Sequence, residues 1–575
     1  MIATAGHVDH GKSTLVKALT GAEPDRLAEE RRRGLSIELG YVWTSLPGVG
    51  EVAFVDVPGH EKFLRTMLSG IGPVPAVLFV VAADDPWMPQ AAEHLAALDA
   101  LGVAHGVVAV TRADLADPAP MMARARAEVD RTSLRGAPVL AVSGATGLGI
   151  DELRQALEDL VTGLPAPPPD ADVRLWADRM FHIRGSGTVL TGTLSAGTIT
   201  VGDRLATTGG TVRVRGVQAL DQDRQSVSGV ARVALNLAAD DRVELARDSV
   251  LFTPDRWHVT DTVDVRLVGD EEPPEKPALH IGALAVPVRV RSFDATHARL
   301  TLERPLPLRI GDRALLRDPG SRQVWGLTVL DPSPPRLRRR GAGTRRGLEL
   351  AKASGEATLA EELDRRGIAS TDLLRRLGVP VPPDAGPWLI GERAAALVQE
   401  RMASVVRTYD EQHPLAPGMP VPAVARALGL PSPDLVPALV SSPLRLEGGK
   451  VLSAPARVGL PDDIERALAA VEVDLAEAPF VAPTADRMRE LGLHRKAIAV
   501  ASRADRLLDL GEGIVLLPGA DALAVGWLGE LSQPFTTSQA RVRLGTSRRV
   551  VLPLLAHLDR RGLTVRHEDD RRSVR

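Results

Sequence analysis

The sequence predicts a multidomain protein with an α/β domain, two β-barrels and a series of α+β winged-helix repeats. Its 575 residues are too many for one hydrophobic core. Apolar runs alternate with amphipathic stretches up to about residue 161, and β-branched runs between Gly and Asp turns follow. Helical patterns return after residue 345. Two proline-rich segments lie between these three regions and indicate linkers.

The first region has the pattern of a parallel sheet with crossover helices. Helix-like sequence follows each of its short apolar runs, at Glu51–Val57, Ala76–Val81, Gly106–Val110 and Pro138–Val142. The four prolines of 163–170 lack backbone donors and predict a stiff linker. We therefore expect the first domain to cover residues 1–165.

The second region predicts two β-barrels. About 160 residues consist of short strand-like runs, which is enough for two small barrels. The stretch EEPPEK interrupts the strand pattern, so the break is expected near Pro273–Lys276. This gives a first barrel over residues 171–272 and a second over 273–335.

The third region predicts winged-helix units. Strand-like pairs at Leu444–Ser453 and Leu507–Gly519 recur roughly every 60 residues after helical stretches. Residues 345–575 would hold about four such units, the last over about 521–575. The arginine-rich linker Arg336–Arg346 before them has two open interpretations, which are contact with tRNA or ribosomal RNA and a solvated tether.

Composition restricts the function classes. A formal charge of −3 gives no global sign of a nucleic-acid binder, so only local clustering of basic residues is informative. The absence of cysteine excludes disulfides and thiolate metal sites and is typical of a reducing compartment. The sequence shows no basic leader. It also shows no apolar run that approaches the length of a membrane span, roughly 18 residues. We expect a soluble, cytoplasmic protein without a membrane partner.

The strongest motif is a phosphate-binding loop near the amino terminus. It has the pattern GxxxxGK[ST] between an apolar strand and a helix-like stretch. Its amides and the helix dipole would hold phosphates, Lys12 would neutralise β/γ oxygens, and Ser13 would bind Mg²⁺. The alternative is a simple glycine turn. The candidate residues are Gly6, His7, Val8, Asp9, His10, Gly11, Lys12, Ser13 and Thr14.

Three further motifs in the expected order favour the nucleotide site. At the end of one strand, the Asp56 carboxylate can reach the Mg²⁺ shell, and the Gly59 amide can contact the γ-phosphate. This geometry predicts a switch that responds to the bound nucleotide. A carboxylate at Asp114 can accept both guanine N1–H and N2–H, which adenine does not offer, so the nucleotide is expected to be GTP. Ser36 offers a second Mg²⁺ hydroxyl in a mobile switch loop. The remaining candidates for the guanine pocket are Thr111, Arg112, Ser143, Gly144 and Ala145. The first domain is therefore expected to be an α/β P-loop GTPase domain.

The stretches GHVDHGKST and DVPGHEKF resemble the translational GTPases of the elongation factor Tu type. That family pairs the GTPase domain with two β-barrels. The resemblance implies that His60 positions the attacking water once the ribosome has moved it into place. The sequence departs from the family twice, with Ser36 for the switch threonine and Arg112 for the usual lysine of [NT]KxD. Serine keeps the Mg²⁺ hydroxyl, and the arginine stem can stack on guanine.

The whole chain is similar to the bacterial selenocysteine-specific elongation factors, and the similarity weakens between Arg346 and Leu531. The similar stretches are RRRGLSIELGYVW, DRMFHIRGSGTVLTGT and FTTSQARVRLGTSRRVVLPLLAHLDRRG. This resemblance implies a selenocysteine pocket at Asp178, Arg179 and Arg232 of the first barrel. A selenol is an anion near neutrality, so a cationic pocket would prefer it to cysteine or serine. The alternative is that these are ordinary barrel-surface charges.

The last predicted unit has its own helix-turn-helix pattern. The patterns predict helices over Phe535–Leu544 and Arg548–Arg561, a turn at 545–547 with a capping hydroxyl, and a wing over Leu563–Val574. From residue 541 to the end, ten arginines stand against four acids, giving +6. A solvated helical face is the alternative to RNA binding. The candidate RNA contacts are Arg543, Thr546, Ser547, Arg548, Arg549, Arg566, His567 and Arg571.

The motifs predict a GTP-dependent switch, and the resemblance implies that it carries selenocysteinyl-tRNA to the ribosome at UGA codons. By the resemblance, the last unit would bind a selenocysteine insertion hairpin in the messenger RNA. Nothing in the sequence suggests more than a monomer. GTP or GDP and Mg²⁺ are the expected cofactors. Two other functions are weighed against this one, a GTP-gated regulator that binds double-stranded DNA and a factor for another aminoacyl-tRNA.

Overall fold

A computed structural model describes residues 1–24, 39–58, 64–72, 74–183, 187–239, 243–269, 271–321, 323–413, 417–453 and 462–575. They form two compact units, Met1–Gly391 and Glu392–Arg575. The expectations for Ser36, Gly59 and His60 concern residues outside those described. None of the described helices is both long and apolar enough to span a membrane.

The first domain is a six-stranded sheet flanked by helices. The strand order is β2-β3-β1-β4-β5-β6, with β2 antiparallel to β3 and the other pairings parallel. Every residue of β1 and β4 is buried, as expected for strands covered on both faces. The strands are β1 (Ile2–Gly6), β2 (Gly40–Leu46), β3 (Gly50–Asp56), β4 (Ala76–Ala82), β5 (His105–Thr111) and β6 (Val139–Ala141). The helices are α1 (Lys12–Thr20), α2 (Leu64–Ile71), α3 (Pro89–Leu101), α4 (Ala119–Val129) and α5 (Ile150–Gly163).

The second region begins with a closed barrel. Six of its strands follow the order β10-β15-β7-β8-β14-β11, and the pairing of β11 with β10 closes the ring. Strand β12 extends the sheet beside β11, and β9 pairs with β13. The strands are β7 (Arg174–Ile183), β8 (Gly187–Leu194), β9 (Thr198–Thr200), β10 (Arg204–Thr207), β11 (Gly210–Ala219), β12 (Gln222–Arg224), β13 (Ser226–Ser228), β14 (Ala231–Ala239) and β15 (Val250–Phe252).

The second barrel begins earlier in the chain than the sequence predicts. Its six strands close in the order β16-β19-β18-β17-β20-β21. The predicted break at Pro273–Lys276 is wrong, because that proline-rich stretch is a loop inside this barrel and β16 precedes it. The strands are β16 (His258–Val268), β17 (Ala278–Ile281), β18 (Leu284–Ser292), β19 (His297–Leu308), β20 (Arg313–Arg317) and β21 (Val324–Asp331).

A first helical cluster follows the second barrel and belongs to the same compact unit. Ile310 of the barrel shares a core with Ala369, Leu374 and Leu377 of this cluster. The cluster has a two-stranded sheet formed by β22 and β23. Its elements are α6 (Ala342–Leu350), α7 (Leu359–Arg366), β22 (Ile368–Ser370), α8 (Thr371–Arg376) and β23 (Trp388–Ile390).

Buried ion pairs hold this cluster on the barrel. Arg346 is only 3% exposed, and its guanidinium contacts the carboxylates of Asp264 and Asp331, which are 0% and 1% exposed. Arg366 donates to Asp331 at 2.5 Å. Both expectations for the linker are therefore wrong at Arg346, because acids distant in sequence bury its side chain in protein.

The second unit contains three further helical clusters, each with a small antiparallel sheet. The first consists of α9 (Glu392–Gln412), β24 (Met419–Pro420), α10 (Val421–Leu428), α11 (Leu435–Leu439), β25 (Leu444–Glu447) and β26 (Lys450–Ser453). The next consists of α12 (Asp462–Glu477), α13 (Ala485–Glu490), α14 (Arg495–Arg503), β27 (Leu508–Asp509) and β28 (Val515–Leu516). The last consists of α15 (Ala520–Gly529), α16 (Thr537–Arg543), α17 (Arg548–Arg560), β29 (Thr564–Arg566) and β30 (Arg572–Val574).

The last two clusters share one hydrophobic core. Phe480 and Leu475 of the first pack in the same buried group as Phe535 and Leu555 of the second. The edge of the Phe480 ring meets Trp527 at a centroid distance of 5.3 Å. Because these side chains fill one continuous interior, the two clusters form a single folding body.

Candidate functional site

The phosphate-binding loop joins β1 to α1 through two glycines that no other residue can replace without strain. A Cβ on Gly6 would stand 2.0 Å from the Val80 carbonyl oxygen, so a side chain there would collide with β4. Gly11 caps α1 with φ 79°, in the left-handed region. The loop therefore turns tightly enough for its amides and the amino terminus of α1 to face one ligand, as phosphate binding requires.

Lys12 and Ser13, the expected phosphate and Mg²⁺ residues, lie at the amino terminus of α1. Lys12 Nζ donates to the carbonyl oxygens of Gly6 at 3.2 Å and His7 at 2.8 Å, so the ammonium lies along the loop. Ser13 Oγ donates to Asp56 Oδ2 at 2.6 Å. The fold thus brings together a hydroxyl and a carboxylate that are 43 residues apart. Such hard oxygen ligands fit Mg²⁺.

Two residues of the expected guanine pocket contact the same loop. Thr111 Oγ1 donates to the His10 carbonyl oxygen at 2.7 Å. Arg112 has φ 55° and spans from Asp84, at 3.0 Å, to the backbone carbonyl of Asp9. Arg112 therefore braces the loop.

The other members of the expected guanine pocket are Asp114 and the motif Ser143-Gly144-Ala145. Asp114 follows on an exposed turn. Ser143 Oγ accepts the amide of Ala145 at 3.3 Å, which orders the last motif. A Cβ on Gly144 would approach Thr14 Cγ2 to 3.3 Å, so that motif lies against α1. Val8 of the phosphate-binding loop is partly exposed.

Two buried histidines lie at the loop, His10 within it and His94 on α3. His94 Nδ1 accepts the Gly6 amide at 3.0 Å, and burial with the nearby Lys12 charge lowers the pKa of His94 to about 3. Burial and the neighbouring His7 lower the pKa of His10 to about 4. Both imidazoles are neutral at physiological pH. The sequence reasoning missed His94, because it lies on α3 and no local motif marks it.

The three residues of the expected selenocysteine pocket lie together in the first barrel. Arg232 pairs through both of its terminal nitrogens with Asp178, at 2.6 Å for Nη2, and Nη2 also donates to Thr191 Oγ1 at 2.9 Å. Arg179 Nη2 donates to the Leu39 carbonyl oxygen at 2.8 Å. Arg179 lies on β7 and Arg232 on β14, the two strands that flank β8. Both arginines contact the GTPase domain and are not isolated surface charges.

Tyr41 was not expected in this pocket. It lies on β2 of the GTPase domain, and its ring centre is 4.1 Å from the Arg232 guanidinium carbon and 5.9 Å from that of Arg179. Burial raises the pKa of its phenol. The only sequence signal for Tyr41 was its position as an aromatic residue just after the expected switch segment. The GTPase domain thus contacts the pocket arginines directly.

A cavity of about 430 Å³ adjoins these groups. Asp178 and Arg179 line it from the barrel, and Leu39, Thr66 and Ser69 line it from the GTPase domain. The cavity therefore lies between the domain that would bind nucleotide and the barrel that would bind the aminoacyl group.

The predicted RNA contacts of the last cluster differ in how exposed they are and in whether they bond to the preceding cluster. Thr546 is 8% exposed, and its hydroxyl donates to the Phe480 carbonyl oxygen. Its assignment as an RNA contact is corrected, because it holds the preceding cluster. Arg549 Nη2 also donates to that cluster, at the Pro483 carbonyl oxygen at 2.8 Å. Ser547 begins α17 as its N-cap, but its side chain makes no capping hydrogen bond, contrary to the expected capping hydroxyl.

The other basic residues remain on the surface. Arg543 pairs with Glu530 and lies 5.2 Å from the Trp527 ring centre. The wing residues have local partners, since Arg566 pairs with Asp570, and His567 Nε2 lies 2.8 Å from Ser573 Oγ. Arg571 lies 3.4 Å from Asp569. Arg548 is exposed, and within the described ranges no carboxylate pairs with it.

Fold and site together define a GTPase of the elongation factor Tu type. Residues 1–163 match the family model of the elongation factor Tu GTP binding domain, so the bound nucleotide is a guanine nucleotide. Residues 526–573 match the model of the elongation factor SelB winged helix.

A relative that is matched over nearly its full length gives the family. The selenocysteine-specific elongation factor of Escherichia coli (strain K12) is 32% identical, with 99% of this chain and 98% of that protein covered. The selenocysteine-specific elongation factor of Haemophilus influenzae (strain ATCC 51907 / DSM 11121 / KW20 / Rd) is 36% identical over 59% of this chain and 56% of its own. The chain belongs to the selenocysteine-specific elongation factor family.

A solved structure supports the fold over the whole chain. The crystal structure of a bacterial selenocysteine-specific elongation factor, EF-Sec, matches with a TM-score of 0.68 at 24% identity, covering 100% of this chain and 99% of that one. The order of a GTPase domain, two barrels and winged helices is therefore that of a known fold.

Proposed function

We propose that this protein binds selenocysteinyl-tRNA in its GTP state and delivers it to the ribosome at UGA codons in the cytoplasm. The observation that supports this most is the contact of Tyr41 with Arg232. It links the β-strand that follows the expected switch segment to the expected aminoacyl pocket. A change of nucleotide that moves β2 would change the surroundings of Arg232.

The pocket has the chemistry to prefer a selenolate. The guanidinium groups of Arg179 and Arg232 offer positive charge, and Asp178 fixes the orientation of Arg232. A selenolate would gain charge-assisted hydrogen bonds there, whereas the neutral serine hydroxyl would not. Discrimination therefore depends on the charge of the side chain and not on its size.

The nucleotide site would use Mg²⁺ held by Ser13 and Ser36, with Asp56 in its outer shell. The metal would supply charge neutralisation for the β and γ phosphates. Lys12 would contact the same phosphates, and Asp114 with the Ser143–Ala145 amides would bind guanine. His60 would orient the attacking water, and Gly59 would contact the γ-phosphate.

The last winged-helix cluster would bind the messenger RNA hairpin. Arg548 at the amino terminus of α17, with Arg543 and the wing residues Arg566 and Arg571, would contact phosphates. Unpaired loop bases would supply the sequence specificity. This recruits the factor to UGA codons beside such a hairpin.

The test measures binding of the GTP-loaded protein to selenocysteinyl-tRNA and to the same tRNA carrying serine, at one stated salt concentration. We expect strong preference for the selenocysteinyl form, lost in Arg232→Ala. Arg224→Ala removes an exposed arginine of the same barrel and should keep the preference. Equal weak binding of both tRNAs would refute the proposal. Specific binding to duplex DNA or to another aminoacyl-tRNA would favour the two other functions.

A further inference from the structure

Three acids of the last cluster pair with arginines that the proposed function assigns to RNA phosphates. The first pair joins the end of α15 to the end of α16, and the other two lie at the tip of the wing between β29 and β30. The arginines expected to attract phosphates therefore already have negative neighbours. The pairs are Glu530 with Arg543, Asp569 with Arg571 and Asp570 with Arg566.

The two places lie on neighbouring elements of the cluster. The segment after α15 runs beside the wing, because Phe535 and Arg572 exchange backbone hydrogen bonds of 2.8 and 2.9 Å. The Val574 amide of β30 also donates to Gln533 Oε1, at 3.0 Å. Glu530, three residues before Gln533, therefore borders the element that carries the wing acids.

The three acids differ from Asp559, an acid of the same cluster that supports the fold. Asp559 accepts from Arg572 Nε at 2.9 Å, and the Arg572 side chain is only 8% exposed. The side chains of Glu530, Asp569 and Asp570 are instead 64%, 59% and 75% exposed. Exposed ion pairs contribute little to stability, so the fold does not depend on these three charges.

A carboxylate distinguishes bases from phosphates by hydrogen bonding. Carboxylates and phosphates are both anionic acceptors, so a phosphate is repelled and must also take the arginine from its acid. The hydrogen-bond donors of RNA are its base amino and imino groups and its 2′-hydroxyls. Unpaired loop bases expose such donors on their Watson–Crick edges. An acid beside an arginine therefore weakens binding to any phosphate backbone and favours a base that donates to it.

The surroundings of Arg543 show this chemistry most clearly. Its guanidinium carbon lies 5.2 Å from the centre of the Trp527 ring, and its Nη2 donates to Glu530. The ring and the carboxylate together fix the orientation of the guanidinium. Donors of Arg543 thus lie next to acceptors of Glu530, a combination that matches a base edge, whereas a phosphate offers acceptors alone.

We propose that Glu530, Asp569 and Asp570 determine RNA specificity, because they repel phosphates and accept hydrogen bonds from unpaired bases of the messenger RNA hairpin. This inference rests on the proposed function, which brings such a hairpin to the last cluster. The neighbouring arginines supply the attraction that is common to all RNA.

The test compares the full chain with the triple variant Glu530→Gln, Asp569→Asn, Asp570→Asn. The RNA probes are a hairpin copied from a messenger RNA beside a UGA selenocysteine codon and the same stem with its loop bases shuffled. Filter-binding titrations over a range of salt concentrations measure both affinities. A control variant has the same charge change at exposed acids that pair with arginines elsewhere, Asp151→Asn, Glu275→Gln and Asp372→Asn.

We expect the triple variant to bind the shuffled hairpin roughly tenfold more tightly, since each exposed pair that need not be broken contributes roughly twofold. Affinity for the original hairpin should rise by less than about threefold, because the weaker amide acceptors lose part of the base contacts. The salt slope for the shuffled hairpin should steepen by about 0.9 for each phosphate newly neutralised. The control variant should bind both hairpins as the wild-type protein does.

An unchanged preference in the triple variant, whether both affinities rise together or neither changes, would overturn the inference while the proposed function stands. Failure of the proposed function has a different signature, since the wild-type protein would then bind the two hairpins equally well. That result would overturn both proposals.

Discussion

At the scale of single residues, the nucleotide loop depends on an imidazole that its motif does not contain. The Gly6 amide donates to His94 Nδ1, so that nitrogen must be unprotonated. Protonation would replace an acceptor with a donor and leave a buried amide without its partner. The lowered pKa of His94 keeps the acceptor available at physiological pH.

His94 should therefore make stability depend on pH. Between about pH 6.5 and pH 3 the unfolded chain binds a proton at His94 that the folded chain does not, so stability falls as pH falls. The cost approaches about 1.4 kcal/mol per pH unit. We expect His94→Gln to reduce the slope of the unfolding free energy against pH by this amount. Urea unfolding at several pH values measures it, with the release of bound fluorescent GDP as the signal. His105→Gln, at the exposed start of β5, should keep the wild-type slope.

The identity of the base should depend on Asp114. An amide in place of the carboxylate cannot accept both the N1–H and N2–H of guanine. We expect Asp114→Asn to lower GDP affinity at least tenfold and to improve relative binding of xanthosine diphosphate, whose O2 is an acceptor. Competition with fluorescent GDP measures both. Unchanged selectivity would exclude Asp114 from the base pocket.

Residues of the site differ in how far the sequence could predict them. Gly6 to Ser13 are contiguous, so spacing alone predicts the loop and its lysine. Asp178 and Arg232 required a family resemblance, because they are 54 positions apart. Tyr41 and His94 were missed, since each acts through a contact between separate elements that no local pattern encodes.

At the scale of elements, helix α6 is joined to the second barrel by charge. Arg346 contacts Asp264 and Asp331, and Arg366 also reaches Asp331. Burial alone would raise the pKa of Asp331, but Arg365, Arg366 and Arg346 lower it below its usual value. This carboxylate therefore stabilises the fold above about pH 4 and stops doing so as it becomes protonated at lower pH.

Removing one partner should be costly. Arg346→Ala leaves two buried carboxylates with fewer cations, and the expected loss is about 3–5 kcal/mol. Thermal unfolding and hydrogen exchange of α6 amides would measure it. Arg338→Ala, an exposed arginine of the same linker, should have little effect. Equally small losses of stability in Arg346→Ala and Arg338→Ala would mean that apolar contacts alone hold the cluster on the barrel.

Element boundaries were less predictable than element types. Four strands of the first domain, β3 to β6, were expected at nearly their observed positions, because apolar runs mark buried strands. Strand β2 was not expected. The barrel boundary was misplaced because β16 has the same alternation as the strands before it, and Pro273 marks only a loop. The burial of Arg346 could not be expected, since Asp264 is 82 positions away.

At the scale of the whole molecule, one compact unit contains the GTPase domain, the two barrels and the first helical cluster, and a second unit contains the later helical clusters. The last winged-helix cluster, expected as a separate RNA-binding unit over about 521–575, shares its interior with the preceding cluster. Thr546 and Arg549 hydrogen-bond that cluster through the carbonyl oxygens of Phe480 and Pro483.

The smallest RNA-binding fragment should therefore contain both clusters. We expect residues 462–575 to unfold cooperatively and bind the hairpin with the affinity of the full chain. Residues 521–575 alone should expose Phe535 and Leu555 and lose both properties. Circular dichroism and a filter-binding titration would measure this. Full affinity of the shorter fragment would contradict the shared interior.

The ion pair between Asp178 and Arg232 has a consequence for cellular competitors of the cargo. In the structure the Arg232 charge is already matched by a carboxylate and covered by an aromatic ring. A small free anion, such as chloride or unattached selenocysteine, would have to displace these partners with few contacts of its own. An amino acid tethered to a large RNA arrives at high local concentration and has that RNA's binding surface behind it. We therefore expect the metabolite pool to leave the factor uninhibited.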